Sequence, residues 1–321
     1  IRSSADHWAA IHDLSDEAAA ERITQDGIDI LVDLSGHTGG NRLLVFVRRP
    51  APVQVSYLGY PNTTGLEAMD YRITDAVADP TEPEIERRYT ERLIRLPGGF
   101  LCYRNDPVSP PVAAVPSAGR GHVTFGSFNT LGKITDDVVR AWSALLHEVP
   151  GARLCLKAGA LAYEDTRRFV AERFAKQGIG AERLDLMGPL PKAEHLGAYG
   201  RIDIALDTFP YNGTTTTCEA LWMGVPVVTM RGRYHAGRVG ASILQQAGLP
   251  DLVAPDPPGY LALARSLAAD ASFRAGLREN LRERMLKSAL MNPSRLAREL
   301  ESAYRRIWED WCRARSSADG R

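Results

Sequence analysis

The chain has 321 residues, 44% hydrophobic and 24% charged, enough to bury the cores of two α/β domains. Its 39 basic side chains balance 39 acidic ones, so no long-range field gathers nucleic acid or an acidic membrane, and any anion site must be local. Four scattered cysteines argue against structural zinc and a disulfide frame, and the lack of a secretory pattern or of roughly 20 consecutive apolar residues makes a cytoplasmic, membrane-free protein the expectation.

A helix near Asp16–Gln25 is expected first, then the strands IDILVDLSG, PVQVSYLG and DYRITD. A Rossmann-like domain normally opens with a strand and its first turn, so the first domain is expected to be truncated at its start. His37 in SGHT and Tyr60 in LGYPNTTG follow strands and are expected to face a cleft between domains. His37 reads equally as a proton acceptor and as a structural hydrogen-bonding histidine.

Pro107, Pro110, Pro111 and Pro116 then crowd Asn105–Gly121, which can feed neither a helix nor a central strand and is expected to link domains. The division read from this is 1–117, a partial N-terminal lobe with its linker; 118–290, a C-terminal lobe; and 291–321, a helix returning to the N-lobe. After the linker come the strand HVTFGSFN, a helix TDDVVRAWSALLHEV, the strand ARLCLKA, a helix near 165–178, the strand RLDLMG and a short helix with His195. Strand IDIALDT, a helix from Thr215, strand PVVTM, a helix across Val239–Leu244 and strand DLVA complete the lobe. Thr135 is the expected N-cap of the first helix, with Val138, Trp142, Leu145 and Val149 on one face. Such alternation implies parallel β-α-β units in a doubly wound sheet. Leu296, Leu300, Tyr304, Ile307 and Trp311 make the last segment a long amphipathic helix that must cover something large. No period of 20–50 residues recurs, so no repeat array is expected within the chain.

Three runs at the ends of strands carry candidate chemistry. In IALDTFPYNGTTTTCEALWMG, four threonines open a helix after Asn212-Gly213. First-turn amides and threonine hydroxyls can cradle a pyrophosphate without metal, although a single threonine there would serve only as a cap. Lys133 in GSFNTLGKITDD sits just ahead of a helix and can neutralise a departing diphosphate, or be a solvated loop lysine. Lys192 and His195 in GPLPKAEHLGAYG share a face of a short helix, suited to a ribose and base or to purely structural bonds. One nucleotide diphosphate across the strand ends accounts for all three runs.

DGIDILVDLSGHT, RPAPVQVSYLGYPNTTG, MDYRITDAVADP, FGSFNTLGKIT, PKAEH, LDTFPYNGTTTTCEALWMGVPVVTM and ESAYRRIW together resemble the O-GlcNAc transferase/SPINDLY family of protein O-glycosyltransferases over essentially the whole chain. That resemblance implies the GT-B fold and inverting, metal-independent transfer of a sugar from a nucleotide-sugar donor to serine or threonine hydroxyls of proteins, with no cofactor. On matching positions it implies Lys133 at the diphosphate, Lys192 at the ribose, His195 against the base, Thr214, Thr215 and Thr216 at the phosphates and Glu219 toward the ribose. Asn129, Asn212 and Gly213 complete the donor set, and Lys133 and His37 are the catalytic candidates.

Animal members carry His-Thr-Thr at Thr214–Thr216, Asp at Glu219 and a histidine in the stretch matching RITQDG, where this chain has Thr24. The TTTTCE form resembles SPINDLY, in plants a GDP-fucose-dependent O-fucosyltransferase. UDP-GlcNAc is the donor expected here, with GDP-fucose the alternative. A nucleotide-sugar 2-epimerase and a non-catalytic donor-binding or interaction fragment are further alternatives. Members usually carry an N-terminal tetratricopeptide superhelix, so such a region is expected in the full-length protein.

Overall fold

The computed structural model describes residues 2–319, which form two units. The first comprises the chain up to Ala76, Pro80–Phe100 and the chain from Ala297 onward; the second comprises Val77–Asp79 and Leu101–Leu296.

The first unit is built on four parallel strands, β1 (Ile30–Asp33), β2 (Val53–Ser56), β3 (Tyr71–Thr74) and β4 (Arg92–Arg95), ordered β1-β2-β3-β4. The first three are the expected ones. β4 was not foreseen, because RLIR offers only two apolar residues and its strand character comes from pairing with β3. β2 and β3 are buried on both faces, so their polar residues need internal partners: Gln54 donates through Nε2 to the carbonyls of Phe46 and Ala68. Helix Asp16–Gln25 opens at Ser15, whose Oγ accepts from the Ala18 amide, and buries Ala19 and Ala20 against Val45. The C-terminal helix, Pro293–Asp319, buries Ile307 of the foreseen stripe and also Ala303, which lay outside it, while Trp308 stacks on Trp311 with centroids 4.9 Å apart.

The second unit carries β5 (Thr124–Ser127), β6 (Arg153–Lys157), β7 (Leu184–Met187), β8 (Ile204–Leu206), β9 (Val227–Met230) and β10 (Val253–Ala254), all parallel and ordered β10-β9-β8-β5-β6-β7. Renumbered within the unit this is 3-2-1-4-5-6, the doubly wound order, whose direction of winding reverses between β5 and β8. Helices join the strands as expected. In Asp136–Glu148, Thr135 Oγ1 accepts from the Val138 amide, and Val138, Trp142 and Leu145 are fully buried. Trp142 Nε1 donates to Tyr260 Oη (3.1 Å), which donates to the Asp207 carbonyl (2.9 Å), so the packed layer reaches the end of β8. Gly126 in β5 is required by space, since a Cβ there would lie 2.5 Å from Ile202 Cγ2.

Two helices that the sequence reading passed over, Pro257–Ala269 and Ala271–Lys287, close this unit. The second bears the arginines that hold the proline-rich segment. Proline has no N–H, so this stretch presents mainly carbonyls. Arg278 Nε donates to Ala113 O (2.9 Å) and Arg282 to Pro110 O (2.9 Å). The one regular element in the segment is the short helix Ser117–Arg120, after the last proline. Among the described residues, no helix is long and apolar enough to cross a membrane.

Candidate functional site

In doubly wound sheets ligands bind beyond the carboxyl ends of the strands where the winding reverses, which here is between β5 and β8. β5 runs into Asn129 and the turn Leu131–Lys133; β8 runs into Asp207, a loop, and helix Thr215–Trp222. Lys133 Nζ donates to the carbonyl of Asn212 (2.7 Å) and stands 3.8 Å from the centroid of the Tyr211 ring. The lysine and the threonine turn, separated by about 80 positions in sequence, therefore share one site. Burial holds the Lys133 ammonium below its usual pKa, while buried Asp207 pulls in the opposite direction.

The turn is tightly specified. Gly213 places no side chain where Thr216 Oγ1 donates to Asn129 Oδ1 (3.0 Å), and Asn129 Nδ2 reaches Ser127 Oγ (3.3 Å). Thr217 is buried and donates to the Gly213 carbonyl (3.1 Å). Thr214 occupies the N-cap position yet makes no capping bond through its side chain, Thr215 is exposed and Thr216 is half-buried. The hydroxyls are thus not spent on capping, and the first-turn amides have no acceptor within their own helix. Asn212 is placed differently from the threonines: its buried side chain donates to Thr208 O (2.9 Å) and accepts from the Gly240 amide (3.2 Å), so it shapes the loop and offers Lys133 its main-chain carbonyl.

Asp207 was not singled out from sequence. It is buried and accepts from the Gly213 amide (2.6 Å), the Thr208 amide (2.9 Å) and Thr229 Oγ1 (2.7 Å), anchoring the loop to β9. Burial raises its pKa to about 6, against the partial relief of those bonds and of Lys133. A folded pKa above the unfolded one means that its contribution to stability is complete below about pH 4 and lost as pH rises through about 6. In Asp207→Asn the amide oxygen can still accept from both backbone N–H groups, and this titration disappears. The unfolding free energy of the variant relative to the native protein should therefore rise between pH 4 and 6 and level off above 7, measured by denaturant unfolding; a pH-independent difference contradicts the assignment.

The third run forms a cluster around Glu219, which is 3% exposed. Its Oε1 accepts from Lys192 Nζ (2.5 Å), and its Oε2 from His195 Nε2 (2.8 Å) and Tyr199 Oη (3.4 Å). Burial alone would raise the Glu219 pKa; the bonds from His195 and Lys192 outweigh it, and the carboxyl lies below its ordinary value. The Tyr199 hydroxyl is pushed well above its usual value by full burial and by Glu219. Lys157, which the sequence reading missed, completes the cluster: its Nζ lies 2.8 Å from His195 Nδ1. The available signal was a lysine closing the apolar strand RLCLK, at the strand end where crossover folds place ligand groups.

In the first unit, His37 is exposed on the turn after β1. Its Nε2–H donates to Thr64 O (2.8 Å) and its ring meets Tyr60 edge-on at 5.2 Å, an arrangement that leaves Nδ1 as the nitrogen to take a proton. Thr64 is itself held by buried Glu91, which accepts from the Thr64 amide (2.6 Å) and from Thr63 Oγ1 (2.7 Å).

The family model described as Glycosyl transferase family 41 matches residues 1–106 and 117–300. A protein of Solanum lycopersicum named probable UDP-N-acetylglucosamine–peptide N-acetylglucosaminyltransferase SPINDLY is 45% identical over 306 residues, 95% of this chain and 33% of its own length. A Hordeum vulgare protein of the same name is 45% identical over 313 residues, 97% of this chain and 33% of its own. The chain thus spans about a third of the length of these curated relatives. Among solved structures, a lysine-to-methionine mutant of the Thermobaculum terrenum O-GlcNAc transferase superposes with a TM-score of 0.88 at 43% identity, covering 98% of this chain and 59% of that one. The fold is accordingly GT-B, as expected.

Proposed function

The chain belongs to glycosyl transferase family 41, and from that premise we propose that it is catalytic sequence of a protein O-glycosyltransferase moving GlcNAc from UDP-GlcNAc to serine or threonine hydroxyls, in the cytoplasm. The observation that carries this reading is the convergence of Lys133 with the Gly213–Thr216 turn at the switch point. In an inverting transfer the acceptor oxygen bonds to the anomeric carbon as the bond to the diphosphate breaks. The charge gathering on that leaving group then needs fixed donors and a cation, which Lys133, the first-turn amides and the threonine hydroxyls supply without a metal. His37, through Nδ1, is the candidate to take the acceptor's proton. The division of labour assigns the donor nucleotide to the second unit and the acceptor to the first, with a tetratricopeptide region elsewhere in the full-length protein engaging acceptor proteins.

GDP-fucose is kept as a second donor because Thr214–Thr216 and Glu219 have the SPINDLY-like form. The test is full-length protein incubated with an acceptor peptide and either UDP-GlcNAc or GDP-fucose, followed by mass spectrometry of the peptide. A mass gain of one GlcNAc is expected; a gain of one deoxyhexose transfers the reading to the second donor. Release of free nucleotide without any peptide modification contradicts both.

A further inference from the structure

We propose that Lys157 is a positioning residue of the donor site, fixing His195 as the neutral Nε2–H tautomer so that its ring supports the nucleoside base by its face alone; this rests on the reading of the second unit as a nucleotide-sugar site. An ammonium donates and cannot accept, so the 2.8 Å contact of Lys157 Nζ with His195 Nδ1 makes that nitrogen the acceptor. The ring proton is then on Nε2, where it meets Glu219 Oε2 at 2.8 Å. With both nitrogens engaged, what the imidazole has left for a ligand is its π-face and its carbon edge.

The setting is built, and its members come from separate elements. Lys157 closes β6 and is buried; Glu219 comes from helix Thr215–Trp222; Lys192 and Glu194 share the short helix Lys192–Gly197 with His195; Tyr199 follows it. Phe128, after β5, lies 5.9 Å from the His195 ring and 5.8 Å from the Lys157 ammonium, and Tyr199 meets the His195 ring edge-on at 5.8 Å. Tyr103 is close enough to Glu219 for its hydroxyl to be pushed further up beyond the effect of burial. Burial lowers the Lys157 ammonium, and Glu219 opposes that shift. Because Lys192 is 46% exposed in its side chain and Glu219 only 4%, Oε1 of Glu219 is the oxygen that a ribose hydroxyl can reach by displacing Lys192. Oε2 stays fixed by His195.

Two consequences separate this role from general support of the fold. A stacking face accepts any planar base, so His195 does not discriminate uracil from guanine, and loss of its orientation should weaken UDP and GDP alike. Removal of the Lys157 ammonium also takes the donor away from Nδ1, so the ring is no longer confined to the Nε2–H form.

The experiment compares native protein, Lys157→Met and Lys157→Arg by histidine-selective 1H–15N spectra, which report the tautomer, and by calorimetric titration with UDP and with GDP. Native His195 should show the Nε2–H tautomer. Lys157→Met should lose that tautomer preference and weaken both nucleotides by about fivefold, the scale of one lost hydrogen bond. Lys157→Arg, still a donor, should restore the neutral tautomer and most of the affinity. An Nδ1–H tautomer of His195 in native protein overturns the proposal, as does unchanged affinity for both nucleotides in a folded Lys157→Met variant. Native protein that binds neither nucleotide contradicts the donor-site reading instead, and the spectra still decide the role of Lys157.

Discussion

Replacing Lys133 by alanine in the full-length protein is expected to lower sugar transfer by roughly 10²-fold or more, the effect of removing one preorganised donor from a developing oxyanion. The fold should survive. Lys133 is only half-buried on a turn, and its loss frees the Asn212 carbonyl without opening a cavity in the apolar core. Its ammonium is also partly desolvated, which strengthens its interaction with an arriving charge. Most of that interaction is realised when the diphosphate departs, so kcat should fall more than donor affinity. Steady-state kinetics with a peptide acceptor, beside a titration of the nucleotide, separates the two; equal transfer by variant and native protein contradicts the role given to Lys133.

Gly213→Ala is expected to weaken UDP and GDP binding tenfold or more. The backbone at Gly213 is not in the left-handed region, so the effect is one of space. A Cβ there would lie 2.5 Å from Thr216 Oγ1, 2.9 Å from Asn129 Oδ1 and 3.0 Å from Thr217 Oγ1. These oxygens are bonded to Asn129 or to Gly213 itself, so they cannot simply rotate away, and overpacking of this kind costs about 1–3 kcal/mol. The displaced group is the threonine turn, so binding should suffer along with stability. Gly276→Ala, with open space around its Cβ on helix Ala271–Lys287, serves as the control and should leave binding unchanged. Equal nucleotide affinity in both variants contradicts the turn as a phosphate cradle.

What the sequence disclosed depended on how local its signals were. Thr135 and the spacing of Val138, Trp142 and Leu145 define a helix without reference to anything distant, and the structure has that helix with that cap. Alternation of strands and helices implied parallel pairing, while the strand order, and with it the switch point, arises only from contacts between remote segments. Helix Ala271–Lys287 escaped notice because buried Arg274 and Arg278 interrupt its apolar period; their guanidinium groups donate to carbonyls of other segments, Leu267 O and Ile202 O among them. β4 was hidden in the same way by its flanking arginines.

The site follows the same division. The threonine run stood out because four threonines after Asn212-Gly213 are more than capping requires, whereas Lys133 alone read equally as a solvated loop lysine, and only the fold brings the two together. Asp207 was not, since its partner Thr229 lies on another strand and its buried carboxyl looks like any strand end in sequence. Lys157 and Glu219 gain their meaning from His195 between them, which no spacing along the chain reveals.

The most direct test is a crystal structure of the full-length protein with UDP bound. The diphosphate should lie above the β5/β8 switch point, with its oxygens within about 3 Å of Lys133 Nζ and of the Thr215 and Thr216 amides, the ordinary range for such bonds. Lys133 should then have turned from the Asn212 carbonyl toward the phosphates. A diphosphate bound elsewhere, with Lys133 still on Asn212 and the threonine turn untouched, contradicts the account.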